Sequence, residues 1–142
     1  MYKQIFVNLP VADLRASKAF FASLGFSFNP QFSDDKATCM IIGENIYAML
    51  LTREYFQGFV DRPVADARQA AGVLPALPCE DRAAVDALVA KAVAAGGKAP
   101  RPPKDHGFMY QHGFDDPDGH IWEVFHMDMS ALPEDMKAKA QE

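Results

Sequence analysis

The sequence predicts an α+β protein: two βαβββ modules forming a curved mixed sheet with a central cup, helices on the outside. Three observations carry this expectation. Gln4 to Val11 alternates with a period of two, so Ile5, Val7, Leu9 and Val11 share one face and Gln4, Phe6, Asn8 and Pro10 the other. Val85, Leu88, Val89, Ala92 and Val93 recur at the i, i+3, i+4, i+7, i+8 spacing of an amphipathic helix. The order strand, helix, three strands occurs twice, with almost no identity between the two occurrences.

In module one the first strand is followed by Asp13 and a helical stretch, "LRASKAFFASLG", with Leu14, Phe21 and Leu24 on one side and Gly25 as its stop. "FSFNPQF", "KATCMII" and "IYAMLLT" read as strands, the last two joined by a turn at "GEN". Thr52 caps a short helix, "REYFQGF", whose Tyr55, Phe56 and Phe59 form a lid over a pocket or a cover for an edge or interface. Module two opens with "VLPALPC", where Pro75 and Pro78 demand an edge or irregular position because proline cannot donate to a ladder. The amphipathic helix ends at Gly96 and Gly97, "KAPRPP" is an extended segment or loop, and "GFMYQHGF" and "HIWEVFHM" are strands joined by the Asp-Pro-Asp-Gly turn at 116–119. The chain divides into one domain over 1–128, with modules at about 1–59 and 73–128, and a charged tail over 129–142 expected as a short surface helix or frayed end. Two half-covered sheets placed side by side would curve around a common concavity.

Composition narrows the function. A formal charge of −5 and a pI near 5.3 argue against nucleic acid or an anionic membrane as partner, since both select basic faces. No 18-residue apolar stretch occurs and "MYKQIFVNLPVADL" has no long apolar signal core, so a cytoplasmic protein is expected. Cys39 and Cys79 lie far apart in apolar stretches and read as small buried hydrophobes.

Three segments, "FVNLPVADLRASKAFFASLGF", "VDALVAKAVAAGG" and "FDDPDGHIWEVFHMD", resemble the vicinal oxygen chelate superfamily, which includes glyoxalase I, extradiol dioxygenases and the bleomycin and fosfomycin resistance proteins. The likeness runs nearly to Asp128 and implies this fold, but the superfamily hosts many chemistries and the likeness implies no single reaction. It also implies a homodimer. In metal-dependent members a divalent ion is held by four positions on the first and last strands of each module. Those positions fall here on Phe6, Met49, Leu74 and Glu123. A phenyl ring, a thioether and an isobutyl group do not ligate such ions, and one carboxylate does not assemble a site. The expectation is therefore no cofactor, with a divalent metal held only at unconventional positions.

Strand parity sorts the remaining polar residues. If Glu123 enters the cup, His120, His126 and Trp122 point away from it, and the aspartates at 115, 116 and 118 do turn chemistry and not calcium binding. His106 is expected to be exposed, while Tyr110 and His112 share a parity and stand as candidates for the cup or its rim. The expected lining is Phe6, Tyr47, Met49, Leu74, Ala76, Ile121 and Phe125, with Gln4, Asn8 and Glu123 as the polar exceptions. An apolar concavity with a few convergent polar groups is the profile of a small-molecule site. The leading expectation is a small-molecule binder anchored by Glu123 and Asn8 against Phe6, Met49, Leu74 and Phe125. The alternative is a lyase, isomerase or dioxygenase-like enzyme using Glu123 as acid, base or metal ligand, with His112 or Tyr110. A third reading has Glu123 as an ordinary satisfied polar residue in a cup closed by side chains.

Overall fold

Two aspartates start the two principal helices. In the computed structural model, which describes residues 1–140, Asp13 accepts from the Ala16 amide at 3.1 Å and Asp81 from the Ala84 amide at 2.7 Å. Each satisfies one of the donors that a helix N-terminus leaves orphaned. The helices are α1 (Leu14–Ser23) and α3 (Arg82–Ala94). Both stop beside a glycine of positive φ, Gly25 at 102° and Gly96 at 104°.

Each helix crosses from an edge strand to the far side of its own sheet. Module one contains β1 (Ile5–Val11), β2 (Ser27–Asn29), β3 (Ala37–Gly43) and β4 (Ile46–Thr52), in the order β1-β4-β3-β2. Module two contains β5 (Ala76–Pro78), β6 (Lys104–Asp105), β7 (Met109–Asp115) and β8 (Ile121–Met127), in the matching order β5-β8-β7-β6. The pairs β1–β4 and β5–β8 are parallel and the rest antiparallel. The α+β fold of two βαβββ modules is therefore present, with a four-stranded mixed sheet in each. The short helix α2 (Arg53–Gln57) follows β4, capped by the Thr52 hydroxyl as its sequence suggests.

The departures have local causes. "FSFNPQF" is not a strand throughout: Pro30, lacking an N–H, opens a 3₁₀ turn over Pro30–Phe32, and Asn29 caps it by accepting from Gln31. β5 is three residues long and lies at the sheet edge, as its prolines require. Val93 is 49% exposed, so the buried stripe of α3 is narrower than its apolar spacing implied. In the tail a 3₁₀ turn at Met129–Ala131 precedes α4 (Glu134–Ala140), and the last two positions of that tail lie outside the described residues. Among the described residues no helix is long and apolar enough to cross a membrane.

One core serves both modules. Phe20 and Phe21 of α1 meet Phe114 and Trp122 of module two, with Phe21 edge-on to Trp122 at 5.2 Å. Trp122, Phe21 and Phe114 are fully buried, each contributing on the order of 2–3 kcal/mol by removal of apolar surface from water. Gly97 lets α3 end against this core, since a Cβ there would lie 2.7 Å from the Asp115 carbonyl and 2.9 Å from the Phe20 ring.

The turn between β7 and β8 fastens the modules together. Asp118 accepts from the Ala12 amide at 2.7 Å and the Ser17 hydroxyl at 3.1 Å, both in module one. The His120 Nε2 lies 2.8 Å from the Pro10 carbonyl. Asp116 holds the turn from within: its Oδ1 accepts from the Asp118 and His120 amides and its Oδ2 from the Trp122 indole. Asp116 and Asp118 thus do the turn chemistry expected of them, whereas Asp115 ends β7 and pairs with Arg101. Two of the turn's side chains bridge about a hundred residues of sequence.

Asp118→Ala, which strands the Ala12 amide and the Ser17 hydroxyl, is expected to cost about 2–3 kcal/mol of unfolding free energy. Ser17→Ala should cost about 1 kcal/mol, with both read by urea unfolding followed at Trp122. Burial pushes the Asp116 carboxyl above the usual carboxylate range, against the opposing effects of His120 and of its N–H donors. A raised carboxyl contributes stability that is complete below the unfolded-state pKa and is lost as pH rises through the folded-state value. The stability advantage of wild type over Asp116→Asn should accordingly shrink from pH 4 upward (about the unfolded value), measured by denaturant titration at stepped pH.

Candidate functional site

Register fixes which residues look into the concave side. Leu9 and Val11 of β1 and Trp122 and Val124 of β8 are buried toward the helices, so Phe6 and Asn8, with Glu123 and Phe125, belong to the opposite face. Asn8 pairs with Met49 and Ala76 with Glu123. Asn8 and Ala76 each lie five residues before their module's helix-capping aspartate, so Met49 occupies in module one the place of Glu123 in module two. Phe6 and Leu74, each seven residues before the same caps, correspond in the same way. On module one the face is aromatic: Phe6 stacks on Tyr47 with centroids 4.7 Å apart and an interplanar angle of 16°.

On module two the face carries charged groups among apolar ones. The row Lys104–Gln111–Phe125–Pro78 runs across its four strands, and the next row is Gly113–Glu123–Ala76. Gly113 brings no side chain beside Glu123, and a Cβ there would lie 3.0 Å from the Trp122 carbonyl. The half-buried Glu123 consequently lines a cavity of about 460 Å³ together with Leu74, Arg101, Lys104, Gln111 and Ile121. Two cations face one carboxylate there, in a chain of net charge −5. Arg101 is ion-paired with Asp115, whereas Lys104 has no ion pair among the described residues.

A second cavity, of about 320 Å³, adjoins the first. Asn8 and Pro10 of β1 form part of its wall and Phe56 of α2 another. Its roof is the segment 60–73, which supplies Val60, Val64 and Val73 among others. Arg53 holds this roof by donating to the Val64 and Ala65 carbonyls, Gln57 by donating to the Arg62 carbonyl, and Arg68 by donating to the Pro117 carbonyl. Ile121 lines both cavities.

The residues singled out by sequence are distributed as follows. Glu123 and Leu74 share the polar cavity, and His112 borders it although its pairing with Val124 gives it the helix-side parity. Its Nδ1 accepts from the Gly113 amide at 2.9 Å. Tyr110 turns to α3, where its hydroxyl donates to Asp86 at 2.6 Å and the Arg82 guanidinium lies 5.2 Å from its ring centroid, so it is not brought to Glu123. The bond to Asp86 holds the Tyr110 phenol above its ordinary pKa. Asn8 lines the apolar cavity, while Phe6, Met49 and Phe125 are on the concave faces but line neither cavity. His120 and His126 bond to the Pro10 and Cys79 carbonyls as structural groups, and His106 is exposed.

Sequence reading missed Arg101, Lys104 and Gln111. For Gln111 the signal was the Asp-Pro-Asp-Gly turn: it sets Phe114 opposite Trp122, so Gln111 and Gly113, and not Tyr110 and His112, share the parity of Glu123. The family's metal positions do not fit a metal in this chain, because Phe6, Met49 and Leu74 offer no oxygen or nitrogen donor beside Glu123. Among the described residues no group of three or more His, Cys, Asp or Glu side chains is placed to hold an ion.

Comparison with known proteins agrees with this architecture. Residues 3–43 match the family model described as "Bleomycin resistance protein-like N-terminal". A hypothetical protein from S. aureus has a similar structure at 28% identity and a TM-score of 0.77, covering 89% of this chain and 94% of its own. A glyoxalase-related enzyme from Fulvimarina pelagi is similar at 24% identity and a TM-score of 0.74, covering 88% of each chain. A glyoxalase/bleomycin resistance protein/dioxygenase family enzyme from Burkholderia phytofirmans follows at 20% identity and a TM-score of 0.72, covering 86% of this chain and 96% of its own. No curated protein matches the chain. The class defined by fold and site is a paired βαβββ protein with a concave, ligand-sized site. Over residues 3–43 the chain is similar to the bleomycin resistance protein-like family, and its fold is that of proteins described as glyoxalase/bleomycin resistance/dioxygenase family members.

Protein stripped with chelator, re-incubated with Ni²⁺, Zn²⁺, Mn²⁺ or Fe²⁺ and desalted is expected to retain well under one equivalent of metal by elemental analysis. The Glu123→Ala variant should give the same value, because the carboxylate has no ligating companions at the family positions.

Proposed function

We propose that the protein binds a small organic molecule in the concave face of module two, without the metal of metal-dependent relatives. The observation that carries this reading is Glu123: one carboxylate, half-buried, in a cavity of about 460 Å³ whose other polar side chains are Arg101, Lys104, Gln111 and His112. That volume is in the range of small-molecule sites. The carboxylate accepts a hydrogen bond from a ligand hydroxyl or amine, and Gly113 leaves the space beside it that such a group needs.

An enzymatic reading shares the site. Glu123 as general acid or base, with His112 bordering the same cavity, would act on a small oxygenated substrate. It differs from the binding reading in one respect: Glu123→Gln keeps the side-chain shape and one acceptor oxygen but removes proton transfer. We further propose that the protein is a homodimer. Phe6 and Leu74, 45% and 55% exposed on the concave faces, and Ile5 at 57% on β1 give apolar surface for a second copy to cover.

Screening small hydroxylated and amino compounds by ligand-observed NMR should find binders whose affinity falls about tenfold or more in Glu123→Ala, with the thermal midpoint unchanged. A binder unaffected by that substitution, or no binder in a broad panel, overturns the reading. Light scattering on the eluting protein should give about twice the 15.7 kDa chain mass.

A further inference from the structure

We propose that the ligand is an anionic amphiphile: its charged head sits at Lys104 and Gln111 beside Glu123, and its apolar body runs past Ile121 into the cavity beneath segment 60–73. The inference rests on the binding reading above and specifies the ligand class of that site. Three observations carry it.

The first is continuity. Ile121 lines both cavities, and the consecutive residues Val73 and Leu74 line one each, so the two spaces meet along a single stretch of wall. A molecule extending from one toward the other would pass Ile121.

The second is the contrast in chemistry. The roofed cavity is walled mainly by proline, alanine and valine side chains with Phe56 and Ile121, its polar lining residues being Asn8, His120 and the largely exposed Arg62. The apolar part of that surface rewards burial of methylene or ring carbon at roughly 25 cal/mol per Å². The cavity at Glu123 differs in carrying charge, two cations and one carboxylate set in a lining that is otherwise also largely apolar.

The third is the position of Lys104. Its register with Gln111 places both on the concave face, one row from Glu123. Arg101 is engaged with Asp115, so Lys104 is the cation left to meet an incoming anion, with the Gln111 amide beside it as a second donor. Glu123 would repel a bare anion at short range and therefore sets a second requirement, a donor on the ligand near its charged group.

The test is a chain-length series of 2-hydroxycarboxylates, 2-hydroxybutanoate to 2-hydroxydecanoate, with 1,2-octanediol as the uncharged control, titrated into the purified protein by calorimetry at low salt. Affinity should rise about fourfold for each added CH₂ until the roofed cavity is full. 2-Hydroxyoctanoate should bind at least tenfold more tightly than the diol. Lys104→Ala should weaken 2-hydroxyoctanoate about tenfold and leave the diol unchanged, and Ala71→Phe, which fills the roofed cavity, should flatten the series while leaving 2-hydroxybutanoate as in wild type. The series on the wild-type protein stands by itself should Ala71→Phe fail to fold. A flat series, or the diol binding as well as 2-hydroxyoctanoate, overturns the amphiphile. If other small molecules still bind in a manner dependent on Glu123, the binding function survives that result; if nothing binds, both readings fall.

Discussion

Everything about this molecule depends on the hydrogen bonds that the β7–β8 turn sends into module one. A sheet of four short strands with one helix against it is a small unit, and each half gains much of its burial of apolar surface from the other. Phe20 and Phe21 of α1 are buried only because Phe114 and Trp122 are brought against them. The turn sets that approach: Asp118 accepts from Ala12 and Ser17 at the β1–α1 junction, and Asp116 ties the same turn to the Trp122 indole. Buried carboxylates are costly unless their oxygens are fully used, and each of these accepts at least two hydrogen bonds.

With the junction made, two equivalent concave faces are left to diverge. Their strands and caps correspond closely enough that Met49 and Glu123 occupy matching places, as do Phe6 and Leu74. The side chains have gone different ways. Module one presents a stacked aromatic pair, Phe6 on Tyr47, whereas module two presents Glu123, Gln111 and Lys104 around the space left by Gly113. One backbone plan therefore supplies an apolar wall on one side and a polar, charged pocket on the other, which a ligand-binding chain can use and a symmetric metal site cannot.

The fold was legible because its signals are local. Alternation in β1, the apolar spacing of α3, the capping aspartates and the terminal glycines each need only a few neighbouring residues. Pro30 was equally local, and the strand reading of "FSFNPQF" passed over its missing donor. The site was legible in part: Glu123 and Leu74 are together, but parity counted within β7 alone favoured Tyr110 and His112 over Gln111 and Gly113. Arg101 and Lys104 lie in and just after a proline-rich stretch with no period to orient them, and only the two-residue strand β6 sets their place. The contact of Asp118 with Ala12 has no local signal at all, since it spans 106 positions and is decided by how whole modules meet.

Gly119 ties these parts into one mechanical unit. It takes a φ of 88°, and a Cβ at this position would lie 2.6 Å from the Arg68 side chain and 3.0 Å from the Arg68 amide nitrogen. The roof segment thus rests directly on the turn that joins the modules, and Arg68 also bonds to the Pro117 carbonyl there. Anything bound beneath the roof would therefore press on the turn that joins the modules, and its binding free energy would add to the cohesion of the whole chain.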